Sequence, residues 1–176
     1  MNRYVFCAII TSLLFQSMSA AYAQEALEPR PSPMAVAFAK QGDTYVKIVY
    51  SQPHKRGREI FGSELVPYGK VWRLGANEAT EITLTDEIKI GGKNLKAGTY
   101  SMFAIPEKDE WTIIFSNMLG EWGAYNYDEA HDELRVEAPV RSSETTYEPF
   151  TIMFNEAGTE LTMVWDKTKA VLPIKL

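Results

Sequence analysis

Apolar and polar side chains alternate one by one over residues 44–51, with Val46, Ile48 and Tyr50 on one side and Tyr45, Lys47 and Val49 on the other. A period of two sends successive side chains to opposite faces of an extended backbone, so the stretch buries one face only as a β-strand. The same rhythm runs through 34–40, 79–85, 87–90, 93–95, 98–105 and 111–116. It returns in 134–140, 150–155, 159–165 and 170–175. Turn signals separate the runs. Gln41-Gly42-Asp43 and Gly91-Gly92 each predict a hairpin, and Gly158 predicts a third between 150–155 and 159–165. Residues 98–105 and 111–116 carry apolar side chains on both faces, which predicts central strands covered from two sides. About ten short strands with scarcely any helix predict an all-β chain, a single antiparallel β-sandwich of jelly-roll or immunoglobulin-like type.

Two stretches break the rhythm. Residues 52–78 hold Pro53, Gly57, Gly62, Pro67, Gly69 and Gly75 and no strand pattern. A connection of 27 residues is long for a compact domain, and such loops tend to carry function. Residues 117–133 contain Trp122, Tyr125 and Tyr127 ahead of the acidic run from Asp128 to Glu133, with room for one short helix at most.

The N-terminus reads as an address. Asn2 and Arg3 precede an apolar run over 5–15 and the small-x-small site Ala21-Tyr22-Ala23, the pattern of a secretory signal peptide over 1–23. The mature chain is then expected to be an exported protein, periplasmic in a Gram-negative cell, with no membrane span after cleavage. Residues 24–33 carry Pro29, Pro31 and Pro33 and form an extended leader; 34–176 form one sandwich domain, expected to be monomeric. Cys7 leaves with the signal, so the mature chain has no disulfide, zinc-thiolate site or cysteine nucleophile. With Arg3 gone, the 18 basic residues fall to 17 against 23 acidic ones, a net charge of −6. That balance disfavours nucleic acid, which rewards a basic face.

The candidate ligand-binding residues are Arg58, Tyr68, Trp72, Arg73, Asn77, Glu78, Trp122 and Tyr125. A guanidinium fork holds carboxylates or pairs of hydroxyls, Asn and Glu complement it, and aromatic faces stack on a sugar ring. The competing structural reading pairs Arg73 or Arg58 with Glu78 or Glu59, pinning the loop to the sandwich. Trp111 and Trp165, on strands, belong to the core. His131 stands among four carboxylates, but the run lacks calcium-loop spacing and paired zinc histidines, so no metal is expected. His54 and His131 are the only histidines, and there is no Gly-x-Ser-x-Gly elbow, dinucleotide glycine motif or P-loop. No catalytic residue and no cofactor is assigned. The remaining enzymatic option is a carboxylate pair, Glu78 with Asp128 or Glu121, as in glycoside hydrolysis.

Gly57-Arg58, Ile60-Phe61-Gly62 and the run from Val66 to Thr80 form a pattern that continues through Ile90 to Lys93, Leu95 to Pro106, Trp111 and Trp122-Gly123. In these residues the chain resembles the exported bacterial family known as domain of unknown function 2911. The resemblance covers nearly the whole mature chain and carries over no catalytic residue. The residues therefore support, first, a non-enzymatic binding domain for a polar ligand such as a saccharide. An interaction or assembly protein of the cell envelope and a carboxylate-based hydrolase are the alternatives.

Overall fold

The computed structural model describes residues 29–176; the signal peptide expected over 1–23 and the first part of the expected leader lie outside the described residues. Nine strands form one antiparallel sheet: β1 (Met34–Gln41), β2 (Thr44–Ser51), β3 (Thr80–Leu84), β4 (Ile88–Ile90), β5 (Lys93–Leu95), β6 (Gly98–Pro106), β7 (Glu110–Ser116), β8 (Asp132–Phe154) and β9 (Glu160–Lys175). Their order is β1-β2-β3-β6-β7-β8-β9-β4-β5, and the sheet does not close into a barrel.

Alternation fixes the register. Ala37 stands opposite Ile48, Ile48 opposite Ile82, and Ile82 opposite Tyr100, so one buried row crosses four strands. A slip of one residue anywhere in that row would turn the apolar set to water.

The sheet doubles back through β8. Its first part, Asp132 to Pro139, pairs with β7, and the part from Val140 to Phe154 pairs with β9. The second part then meets the exit of β2: the Phe150 amide donates to Pro53 O at 2.9 Å, and the Gln52 side chain donates to Phe150 O. The result is a sandwich-like all-β fold, as the alternation predicts.

The strands over the last third are fewer and longer than the sequence pattern suggests. The four predicted runs from 134 onward are two strands, because residues 141–149 continue β8 with no buried side chain to mark the alternation. Register shifts between Ser142 and Tyr147 and between Tyr147 and Thr151 mark this stretch, where backbone pairing persists past the core.

The apolar double faces of β6 and β7 have a distinct cover on each side. Inward, Met102, Ala104, Ile113 and Phe115 join the main core. Outward, Phe103 and Ile114 pack with Ala79 beneath Val71, Ala124 and Tyr127, so the second cover is irregular chain and not another sheet.

Candidate functional site

The long loop enters the core before it reaches the surface. Ile60, Val66, Trp72 and Leu74 are buried. The Trp72 ring lies 5.0 Å from that of Phe150, 5.9 Å from Trp111 and 6.1 Å from Trp165, with Phe61 closing the cluster. Trp72 thus touches four other large rings, each of which buries a large apolar area, so the loop is fastened at its middle. The Trp72 indole N–H donates to Gly75 O at 3.1 Å, and the Trp72 amide and carbonyl pair with Ala104.

The turn after Trp72 is held in unusual backbone. Leu74 and Asn77 have φ of +53° and +59°, a region that costs a non-glycine residue of order 1 kcal/mol or more. Thr80 Oγ1 donates to Leu74 O at 2.6 Å, and the Thr80 amide donates to Arg73 O. Gly75 is required by close approach: a Cβ there would stand 2.9 Å from Ser51 O.

Because Trp72 points into the core, its neighbours Val71 and Arg73 face outward, where residues 122–125 run alongside. The Gly123 amide donates to Asn77 O, and the Ala79 amide donates to Glu121 O. Here a cavity of about 220 Å³ is lined by Leu65, Pro67, Lys70, Trp72, Arg73 and Tyr125, among others. Gly123 permits a close approach beside it: a Cβ at that position would lie 2.8 Å from Arg73 Nη1 and 2.8 Å from the Tyr125 ring. The guanidinium and the phenol thus flank one missing side chain.

Arg73 has no acidic partner among the described residues, whose ion pairs involve Arg30, Lys55 and Arg135 instead. Its Nε is hidden from solvent and has no hydrogen-bond acceptor. An unpaired buried donor costs roughly 1–3 kcal/mol, and more on a charged group. Tyr125 is 80% exposed beside it.

The other candidate residues fall elsewhere. Glu78 is bound by the leader: Arg30 Nη1 donates to its Oε1 at 2.7 Å and to its Oε2 at 2.8 Å. That hydrogen bond holds the Glu78 carboxyl below its usual range. Glu78, with Glu81, lines a separate cavity of about 170 Å³. The Arg73–Glu78 ion pair that the sequence allows is therefore replaced by Arg30–Glu78. Asn77 donates to Ser32 O and Ser51 Oγ. Arg58 donates to His54 O at 2.6 Å and to Lys55 O, which commits its fork to the local backbone. Tyr68 packs over Gly62, where a Cβ would stand 2.6 Å from its ring. Trp122 is 56% exposed and bridges Glu78 through the backbone.

In the acidic run, Asp128 caps the 3-10 turn Glu129–His131 by accepting from the Ala130 amide. Asp132 accepts from Arg135 Nε at 2.6 Å and from the Tyr127 hydroxyl at 2.7 Å. Burial, reinforced by Asp132, pushes the Tyr127 phenol up to about 12. This network pins the irregular segment to β8.

Three of the eight candidates, Trp72, Arg73 and Tyr125, line one cavity; Lys70 is a fourth polar group there that sequence reasoning misses. Only the crossing of residues 70–74 by 122–125 brings Lys70 beside Tyr125, and no spacing along the chain encodes that crossing.

No curated protein and no solved structure matches the chain. A protein-family model described as "Protein of unknown function (DUF2911)" matches residues 32–174, which takes in β1 to β8, all of β9 but its last residue, and both irregular segments. The chain belongs to the DUF2911 family.

Proposed function

We propose that the chain is a non-enzymatic binding domain of the exported compartment that takes a polar ligand, a saccharide, in the cavity between Arg73 and Tyr125. The observation that carries this reading is the Arg73 guanidinium, which lines a cavity without an acceptor among the described residues. A group kept at a cost to stability is a mark of function. The exposed ring of Tyr125 adds an apolar face on which the flat side of a sugar can stack. At about 220 Å³ the cavity is smaller than the roughly 300–1,000 Å³ of a typical ligand cleft, which suits one terminal ring of a longer glycan.

Titration calorimetry against a panel of glycans and small carboxylates tests the reading. Heat with at least one of them is expected. Tyr125→Ala should abolish it with the melting temperature unchanged, since so exposed a side chain contributes within about 0.5 kcal/mol of stability. A panel that gives no heat at all counts against the proposal.

A second reading, an interaction protein of the cell envelope, is favoured by one observation. Met34, Val36 and Phe38 share a face of the edge strand β1 and are 61%, 57% and 65% exposed. Trp72, whose exposure would also favour it, is buried. The hydrolase has less support. Arg30 draws the Glu78 carboxyl downward, opposite to the direction a general acid needs.

A further inference from the structure

Three cavities that touch the loop contain charge, but the signs differ. The cavity at Glu78 and Glu81 is acidic, and the open groove at Arg58 also contains Glu59 and Glu64. The charged side chains lining the Arg73 cavity are Lys70 and Arg73 alone. Neither has a carboxylate within ion-pair distance among the described residues. Glu107, whose Oε1 lies 3.2 Å from where a Gly69 Cβ would stand, is nearby but forms no ion pair with Lys70. In a chain of net charge −5, two unpaired cations around one concavity are a local reversal of sign.

From this we infer that the ligand of the Arg73 cavity is acidic: a sugar whose ring carries a carboxylate, a uronic acid. This rests on the saccharide reading above and narrows it. A guanidinium presents paired N–H donors in a plane that matches a carboxylate, and a lysine ammonium adds a mobile second charge. Gly123 lets the guanidinium and the Tyr125 ring close in on the same point of the backbone, each within 2.8 Å of where a Cβ would stand, which sets the charge and the ring side by side. The Tyr125 ring, exposed on the rim, accepts the apolar face of the same ring whose carboxylate the cations hold. The charge supplies orientation and the ring supplies area.

The test compares glucuronate, glucose and acetate as calorimetric probes on the full mature chain. Glucuronate should bind at least about tenfold more tightly than glucose, the value of one charge-assisted hydrogen bond. Raising the salt concentration should weaken it. Lys70→Gln, a change at an exposed residue, should erase most of the preference for glucuronate over glucose while the melting temperature stays put. Gly123→Ala should also erase the preference with both cations still present, since its Cβ would displace the guanidinium, and its φ of +75° means a lower melting temperature as well.

Equal affinity for glucose and glucuronate, untouched by Lys70→Gln, would overturn the acidic assignment and leave the polar-ligand reading standing. Acetate as tight as glucuronate would refute the sugar and leave a bare carboxylate site. No binding of any probe or glycan would remove both readings together.

Discussion

Trp72 and Arg73 are adjacent in the chain and opposite in what they do for it. Trp72 is 7% exposed among four other rings, and its removal leaves a hole that the sandwich cannot close. Trp72→Ala should cost about 3–5 kcal/mol, which at about 2–4 °C per kcal/mol is a fall in melting temperature on the order of 10 °C. Arg73→Met keeps the aliphatic stem and removes a charge whose Nε is buried without an acceptor. Its melting temperature should be unchanged or a few degrees higher, as follows when an unpaired buried donor is deleted. A fall as large as that of Trp72→Ala would show that Arg73 is an architectural ion-pair partner. Both residues were legible as a pair worth attention, because they sit in the densest run of aromatic, charged and glycine residues. Which one turns inward was not legible. The segment lies outside any strand pattern, so no alternation assigns its faces, and the answer depends on Trp72 pairing with Ala104, 32 positions away along the chain.

At the scale of elements, the last residues of the leader are a strap and not a free end. Arg56 Nη2 donates to Pro31 O, Asn77 Nδ2 to Ser32 O and the Gln52 amide to Pro33 O, while Arg30 holds Glu78. The sequence hides this because the leader takes part through its carbonyls, and a carbonyl acceptor leaves no mark on side-chain pattern. Its prolines, which read as an extended leader with no partner, remove only donors, and this docking uses none of them. The Arg30–Glu78 pair is half exposed on each side, so its net value is a few tenths of a kcal/mol. Its sign with pH is nevertheless fixed. A carboxyl held below its ordinary value of 4.5 stabilises the strap fully above that pH and loses the effect as pH falls through the depressed value. Arg30→Gln should therefore lower the hydrogen-exchange protection of the Gln52 amide at neutral pH, and the wild-type value should fall to that of the variant in acid. Identical protection in the two proteins at every pH would mean that the backbone bonds alone hold the strap.

At the scale of the whole molecule, the alternation located the strands of the first two thirds but not how the sheet folds over, because that step belongs to β8. Val136 and Ala138 mark its first part and Phe150 and Ile152 its last, and the polar stretch between them, Arg141 to Glu148, reads as a loop although it is paired to β9. The doubling-back is then secured by a contact that no local pattern encodes. The Ile152 amide donates to the Tyr50 hydroxyl at 3.0 Å, across 102 positions of chain, and the same hydroxyl donates to Ile152 O at 3.4 Å. Burial raises the Tyr50 phenol above its ordinary value, so it is neutral across the physiological range and serves as donor and acceptor at once. Tyr50→Phe preserves the ring against Phe150 and deletes only the oxygen, leaving a buried amide without an acceptor. The expected cost is about 1–3 kcal/mol, read as a lower denaturant midpoint with an unchanged slope and as faster exchange of the Ile152 amide. Tyr45→Phe, on the outward face of the same strand, should change neither. If Tyr50→Phe matches that control, apolar burial alone joins β2 to β8, and the hydroxyl is incidental to the closure of the fold.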